Sequence, residues 1–216
     1  NKDEEKMIGC VIQARMGSTR FPGKILEKVD ENNDVLKFLI NQLNHVKSLD
    51  KIIIATTTNE QDDRIAEFAK RNKLEYFRGD ENDVLNRYFE TAKKFSLNKI
   101  VRITSDNPLI DPKILDEGIK LFNSKKIDVL TTNQKSSFPY GIVFEIFSFK
   151  ALEGIEKETN SYSDREHVTP FFYSNREKFK VYDLVYEKNI SHIRCSVDTI
   201  DDLKFIRELI KKIPKR

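Results

Sequence analysis

The stretch Val11-Ile-Gln-Ala-Arg-Met-Gly-Ser-Thr-Arg-Phe-Pro-Gly-Lys-Ile-Leu26 combines the end of a strand, a turn punctuated by glycine, and several cations. The apolar run at residues 8–12 reads as a buried strand. After it, Gly17 and Gly23 allow the backbone to come close to an anion. The turn carries three side chains that supply charge-assisted donors: Arg15, Arg20 and Lys24. This combination predicts a loop that binds a nucleoside triphosphate.

The loop differs from the two common phosphate-binding motifs. A P-loop follows the pattern G-x-x-x-x-G-K-S/T, but Gly17 and Gly23 lie one residue too far apart, and Lys24 is followed by Ile25 rather than by a hydroxyl. The G-x-G-x-x-G fingerprint of dinucleotide-binding folds does not follow the first strand either. The remaining structural alternative is a surface loop whose basic residues only face water.

The run Ala14-Arg-Met-Gly-Ser-Thr-Arg-Phe-Pro-Gly-Lys24 closely resembles the signature of the cytidylyltransferases that make CMP-activated sugars. These are the 3-deoxy-manno-octulosonate and acylneuraminate enzymes and, above all, the relatives named for spore-coat polysaccharide synthesis. Five further stretches resemble later motifs of this family in the right order: residues 79–87, 102–112, 138–147, 165–170 and 197–203. The resemblance spans nearly the whole chain. It implies the Rossmann-like fold of the nucleotide-diphospho-sugar transferases and the transfer of CMP from CTP, with release of pyrophosphate.

Composition agrees with an enzyme of this kind. The chain has 216 residues, 38% of them hydrophobic and 34% charged, and no apolar stretch approaches the ~20 residues of a membrane span. We therefore expect a soluble, cytoplasmic protein without a membrane partner. The 38 basic and 35 acidic residues are well mixed, so the net charge of +3 does not favour a nucleic-acid partner. Cys10 and Cys195 lie in apolar runs and are expected to be reduced core thiols.

Strand-like and helix-like segments alternate along the first two thirds of the chain. Strands are predicted at residues 8–12, 51–56, 74–78, 99–104 and 127–132. Helices are predicted between them at residues 35–46, 62–72, 83–95 and 112–122. The later segments are strands at residues 142–147, 180–186 and 192–197, a helix from Arg165 to near Ser174, and a closing helix at residues 201–213.

This order predicts an α/β fold with a mostly parallel central sheet, helices on both faces, and a small antiparallel excursion in the C-terminal half. No linker rich in Gly, Pro or Ser divides the chain. We expect a loose tail at residues 1–6 and a single nucleotidyltransferase domain at residues 7–216.

Two aspartates are candidates for a metal site. The strand at residues 99–104 leads directly to Asp106, at the edge where parallel sheets bind ligands, and Asp198 follows the predicted strand at residues 192–197. Magnesium prefers one or two carboxylates together with phosphate oxygens and water. The resemblance implies that Asp106 and Asp198 hold a catalytic magnesium ion. The alternative is that each carboxylate caps a turn or helix.

The nucleotide site is predicted to extend beyond the glycine-containing loop. Asp80 and Arg87 lie in a family element that borders the nucleotide, although Asp80 or Asn82 could instead cap the helix at residues 83–95. Arg87 could reach back from that helix toward the phosphates. The predicted nucleotide-binding residues are Gln13, Ala14, Arg15, Gly17, Ser18, Arg20, Lys24, Asp80, Arg87 and Thr104. Of these, Gln13, Ala14 and Thr104 are candidates for contacts with the base, and Arg15 and Lys24 join Asp106 and Asp198 as predicted catalytic residues.

The acceptor end is defined by two later stretches. One resembles a family segment with a glycine and a glutamate at Gly141 and Glu145. In the other, Arg165-Glu166-His167 offers a cation, a carboxylate and an imidazole, which could bind an acidic acceptor and help to deprotonate its attacking oxygen. The predicted acceptor-binding residues are Gly141, Glu145, Arg165, Glu166 and His167. The alternative for the second stretch is a capped helix with His167 packed against its own turn, and no general base is assigned.

Several functional alternatives stay open at this point. The acceptor could be a nonulosonic or ulosonic acid, or a compound that offers a phosphate or phosphonate oxygen. Composition does not separate CTP from other nucleotides, so a sugar-1-phosphate nucleotidyltransferase of the same fold is one alternative. A nucleotide-binding protein without catalysis is another, supported only by Ser105 and Asn107, which depart from the family pattern. Dimers are common in the resembled family, so a homodimer is also an option.

Overall fold

Over residues 7–213, the part of the chain that the computed structural model describes, seven strands form one sheet. The strands are β1 (Ile8–Gln13), β2 (Lys51–Thr57), β3 (Glu75–Gly79), β4 (Lys99–Thr104), β5 (Val129–Thr131), β6 (Glu145–Ser148) and β7 (Val181–Asp183). Their spatial order is β3-β2-β1-β4-β6-β5-β7. Only β6 runs against the others, since it pairs antiparallel with β4 and β5. The predicted mostly parallel sheet with an antiparallel excursion is confirmed, whereas the predicted tail at residues 1–6 lies outside the described residues.

The helices connect these strands and mostly start at capping residues. In the described residues they are α1 (Val35–Leu43), α2 (Asp63–Arg71), α3 (Val84–Lys94), α4 (Pro112–Ser124), α5 (Phe149–Glu158), α6 (Tyr162–His167), α7 (Pro170–Ser174) and α8 (Ile200–Lys212). The Asp34 carboxylate accepts a hydrogen bond from Lys37 N at 2.7 Å and so caps α1. Thr199 and Asp202 form a capping box at the start of α8. None of these helices has the length and apolar character that crossing a bilayer requires.

Apolar side chains cover both faces of the sheet. Successive residues of a strand point to opposite faces, so Cys10 packs in a core with residues of α1, α2 and α4, while Val11 packs in a second core with residues of α3, α5 and α7. This arrangement confirms the prediction of helices on both faces. Cys10 and Cys195 are both free and buried, and burial raises the pKa of each thiol. This agrees with the prediction of core thiols.

The predicted strand at residues 192–197 is not a strand in the structure. The segment does not join the sheet, because it lies beside loops rather than beside the edge of a strand. Tyr140 N donates to Ile193 O at 2.8 Å, Cys195 N donates to Tyr140 O at 2.6 Å, and Val197 N donates to Asp106 O at 2.9 Å. The first two bonds attach the segment to the loop between β5 and β6, and the third attaches it to the loop that follows β4, which brings Asp198 close to Asp106.

The predicted helix from Arg165 to near Ser174 is divided into α6 and α7. Val168 has φ 69° and ψ −60°, and Thr169 N donates to His167 O at 2.8 Å, which is the geometry of a γ-turn. Beyond the turn, the Thr169 hydroxyl donates to Glu145 Oε1 at 2.8 Å. The strand predicted at residues 142–147 is also shorter than expected, because β6 begins only at Glu145.

Gly141 has a left-handed backbone conformation, and residues 195–196 pass close to it. Its φ is +96°, and a Cβ built there would lie 2.6 Å from Ser196 N and 2.7 Å from Cys195 C. A side chain at this position would therefore push apart the loop and the segment that carries Asp198.

We predict that Gly141→Ala lowers the free energy of unfolding by roughly 1–3 kcal/mol, because the left-handed backbone is strained for alanine and the Cβ meets rigid backbone. Chemical denaturation measures the change. Gly154→Ala in α5 is the matched control, since its Cβ would meet only Phe179 ring atoms at 3.8 Å. It should be neutral or stabilising by up to about 1 kcal/mol. Equal stabilities of the two variants would contradict this assignment.

Candidate active site

The candidate site lies where the order of strands reverses, between β1 and β4. β2 and β3 extend the sheet on one side of β1, while β4 lies on the other, and ligands of open α/β sheets bind at such points. Ser105 N donates to Gln13 O at 3.1 Å, so the ends of β1 and β4 are joined at the site. Three predicted base-contacting residues therefore lie at one edge of the sheet: Gln13, Ala14 and Thr104.

The loop after β1 is closed by its own backbone. Met16 O accepts hydrogen bonds from Ser18 N at 2.9 Å and from Gly23 N at 3.0 Å. Gly23 has φ +74°, a left-handed conformation that glycine adopts without strain. Gly17 is closely approached as well, since a Cβ there would lie 2.9 Å from Gln61 Nε2. The turn is thus compact.

A buried carboxylate that the sequence did not reveal anchors this loop. Asp62 is 0% exposed, and its side chain accepts hydrogen bonds from Met16 N at 2.7 Å and from the Thr57 hydroxyl. In the sequence, an aspartate at the start of a predicted helix indicates a cap. Only the fold reveals that Asp62 faces the loop instead.

Lys24 joins the two predicted metal ligands. Its Nζ donates to Asp106 Oδ2 at 2.8 Å and to Asp198 Oδ1 at 2.9 Å. Lys24 is 8% exposed and Asp198 is 4% exposed, so these contacts are largely shielded from water. α8 is capped by Thr199 and not by Asp198, which removes the capping alternative for that residue. The structure therefore brings together the predicted catalytic residues Lys24, Asp106 and Asp198.

Two arginines complete the charges around Asp198. Arg20 Nη2 donates to Asp198 Oδ1 at 2.8 Å, as a loop cation close to the site should. Arg194 Nη2 donates to the other oxygen, Oδ2, and Arg194 Nε donates to Asp202 Oδ1 at 3.1 Å. Arg194 was not predicted as a site residue, because an arginine inside a predicted strand gives no indication of a distant partner.

Arg15 lies at the far side of the loop, against the turn that follows β3. Its Nη1 donates to Glu81 Oε1 at 3.2 Å, and about half of the side chain is exposed. Glu81 Oε2 in turn accepts from Asn59 Nδ2 at 2.6 Å. Arg15 thus keeps its charge paired but accessible, and its contact with a triphosphate stays a prediction.

The turn before α3 is held by Arg87 and Asp80. Arg87 is only 2% exposed and Nη1 donates to Asp80 O at 2.7 Å, so the guanidinium supports the turn rather than facing the surface. Burial lowers its pKa. The Asp80 carboxylate accepts from the backbone N–H groups of Asp83 and Asn82, which lower its pKa. The cap of α3 is Asp83, and neither Asp80 nor Asn82 takes that position. Direct nucleotide contacts of Asp80 and Arg87 stay predictions.

The structure places Glu145 in a buried network. This carboxylate is 3% exposed; it accepts from Arg102 Nη1 at 2.6 Å and from the Tyr173 hydroxyl at 2.6 Å. Burial and the neighbouring carboxylate raise the pKa of Tyr173. No hydrogen bond or ion pair within residues 7–213 joins Glu145 to Lys24, Asp106 or Asp198.

Arg165 also has structural partners. Its Nε donates to Asp83 Oδ2 at 2.8 Å and its Nη2 donates to Glu156 Oε1 at 2.9 Å, which ties α6 to the start of α3 and to α5. Glu166 is half-buried and His167 is exposed at the end of α6. The predicted acceptor-binding roles of these residues stay predictions.

The chain matches a family model described as cytidylyltransferase over residues 9–212. An uncharacterized protein of Methanocaldococcus jannaschii is 38% identical over 208 residues, which are 95% of this chain and 84% of that protein. The spore coat polysaccharide biosynthesis protein SpsF of Bacillus subtilis is 30% identical over 212 residues, which are 95% of this chain and 87% of SpsF. A solved cytidylyltransferase structure from Leptospira borgpetersenii serovar Hardjo-bovis superposes with a TM-score of 0.93 at 36% identity, covering 98% of this chain and 89% of that one.

The fold and the site at the end of β1 and β4 define a nucleotidyltransferase of the α/β class. The chain belongs to the cytidylyltransferase family. The predicted family membership and enzymatic class are confirmed.

We predict that Lys24→Ala and Arg15→Ala each reduce turnover by roughly 10²-fold or more, because each would remove a charge-assisted contact to a bound triphosphate. Steady-state release of pyrophosphate measures the loss, and thermal unfolding checks that the fold survives. Lys51→Ala is the control, since Lys51 pairs with Glu75 at the opposite end of the sheet. Near-normal turnover and nucleotide affinity in both site variants would contradict the assignment of the loop.

Proposed function

We propose that the protein transfers CMP from CTP to an oxygen of a small acidic acceptor and releases pyrophosphate, in the synthesis of a surface polysaccharide or glycoconjugate. The acceptor class comprises ulosonic and nonulosonic acids, and phosphates or phosphonates. One observation carries the proposal: a single buried ammonium, Lys24 Nζ, contacts Asp106 and Asp198 beside a glycine-containing loop with two further arginines.

The chemistry needs alignment and charge neutralisation more than covalent participation of the protein. The acceptor oxygen attacks the α-phosphorus of CTP, and the bond from that phosphorus to the bridging oxygen of the β-phosphate breaks. Pyrophosphate leaves, and the acceptor proton passes to water. In this proposal, Arg15, Arg20 and Lys24 bind the triphosphate and stabilise the charge that develops on the leaving group.

The carboxylates of Asp106 and Asp198 fit a magnesium ion. They come from separate parts of the chain, yet one cationic atom lies 2.8 Å from an oxygen of the first and 2.9 Å from an oxygen of the second. Within residues 7–213, no group of three or more His, Cys, Asp or Glu side chains could hold a metal alone. Magnesium commonly takes one or two carboxylates and completes its shell with phosphates and water, so the pair of Asp106 and Asp198 would suffice on the protein side. When bound, the ion would supply additional neutralisation of the triphosphate oxygens.

A matrix of nucleotides and acceptors tests the proposed function. CTP, UTP, GTP and ATP are each combined with acidic sugars, sugar phosphates and phosphonates, and pyrophosphate release is measured. We expect release with CTP and an acidic acceptor. Release with another nucleotide and a sugar 1-phosphate would indicate a related transferase, and binding of a nucleotide without release in any combination would indicate a protein that has lost catalysis.

We predict that Asp106→Asn and Asp198→Asn each abolish pyrophosphate release while the protein stays folded, although each variant unfolds at a lower temperature because Lys24 loses a charged partner. Because the two carboxylates would serve one ion, the double variant should be scarcely slower than either single variant. Binding of Mn²⁺, followed by electron paramagnetic resonance in the presence of CTP, should weaken in both.

Asp183→Asn serves as the control for this series, since Asp183 is a buried, arginine-paired carboxylate in β7, at the far edge of the sheet. It should retain release and Mn²⁺ binding. Small single losses at Asp106 and Asp198 that multiply in the double variant, with Mn²⁺ binding intact, would refute the shared-metal assignment.

A further inference from the structure

Arg194 is an exposed cation held rigidly next to the proposed reaction centre. Its guanidinium bonds to Asp198 and Asp202 and stacks on the ring of Tyr140, 4.6 Å from the ring centroid. Even so, 42% of the Arg194 side chain is exposed, and Tyr140 is 52% exposed. Neither Arg194 nor Tyr140 is among the predicted nucleotide-binding, acceptor-binding or metal-binding residues.

Backbone contacts also hold Tyr140 and Arg194 next to each other. Tyr140 and Arg194 are bridge partners, and two hydrogen bonds between their chain segments flank the pair. Gly141 permits the close approach of these segments, because any Cβ there would collide with the backbone of residues 195–196. The guanidinium therefore has few conformations to lose when it binds a ligand, and this lowers the entropic cost of binding.

The two carboxylate oxygens of Asp198 accept hydrogen bonds from different cations. Oδ1 accepts from Lys24 and Arg20, which belong to the proposed triphosphate loop. Oδ2 accepts from Arg194. In a displacement at phosphorus, the attacking oxygen and the leaving oxygen lie roughly in line on opposite sides. Arg194 thus contacts the oxygen of Asp198 that the loop cations do not contact, so an acceptor bound to Arg194 would not compete with the triphosphate for those cations.

Arg194 retains donors for a ligand. A guanidinium has five N–H groups. Those of Nε and Nη2 are directed to Asp202 and Asp198, whereas Nη1 has no hydrogen-bond partner among the described residues. Arginine is well suited to pair with a carboxylate or phosphate through two parallel hydrogen bonds.

We propose that Arg194, supported by Tyr140, forms the subsite for the acidic group of the acceptor, which is a carboxylate or a phosphate. This inference rests on the proposed function and deepens it. Arg194 supplies charge and paired donors. The exposed ring of Tyr140 supplies an apolar face on which the carbon skeleton of the acceptor packs.

The test couples a change in the protein to a change in the ligand. The probe is the acidic acceptor that gives the fastest pyrophosphate release with CTP. A carboxylate acceptor is compared with its neutral methyl ester, and, in a separate arm, an acceptor that attacks through a hydroxyl and carries a phosphate elsewhere is compared with the same compound without the phosphate. We expect Arg194→Gln to raise the KM for the acid by roughly 10²-fold, while the KM for CTP and the activity with the ester change much less. Arg194→Lys, which keeps the charge and loses the fork, should be intermediate.

Arg176→Gln is the matched control. Arg176 is exposed to a similar degree, at 43% of its side chain, and pairs with Asp183 through two hydrogen bonds at 3.0 Å. It should retain the preference for acid over ester. Equal effects of Arg194→Gln on acid and ester would overturn the inference and indicate that Arg194 only positions Asp198. If no acidic acceptor supports release in the parent protein, the proposed function fails, and the subsite proposal fails with it.

Discussion

The contact of Lys24 with Asp106 and Asp198 is the constraint on which the site depends. Removing an ammonium and two carboxylates from water is costly, and the contact is favourable only while all three groups stay together. Lys24 comes from the loop after β1, Asp106 from the end of β4, and Asp198 from the segment before α8. Each of these three segments is therefore stable in its position only when the other two are also in position.

The remaining contacts hold those three segments in position. Asp62 fixes the loop through Met16 N, and the backbone hydrogen bond from Val197 N to Asp106 O aligns the last segment with the end of β4. α8 then packs through Leu203 and Ile206 in a third apolar cluster that also contains Val197. The charged side chains thus lie at the ends of rigid segments of the fold. Electrostatic preorganisation requires charged groups that are held in place in this way.

The sequence predicted the fold well because the alternation of apolar runs and amphipathic helices reports burial directly. It predicted a strand at residues 192–197 wrongly, since an apolar run shows that a segment is buried but not that a strand edge lies beside it. Lys24, Asp106 and Asp198, which local motifs in the sequence singled out, do lie together in the structure. Asp62 and Arg194 were missed because their partners are remote in the chain.

Each exposed arginine of the site is paired with a carboxylate, and this pairing affects how the site would bind a polyanion. Arg15 is paired with Glu81, and Arg20 and Arg194 are paired with Asp198. Without such partners, neighbouring cations would repel one another and move apart. With them, the cations are already held close together before an anionic ligand binds, so they need little reorganisation. By contrast, the half-buried Arg102 is paired with the buried carboxylate of Glu145 and supports the fold. Among the arginines beside the loop and before α8, exposure combined with a carboxylate partner therefore marks side chains that can meet an incoming anion with little reorganisation.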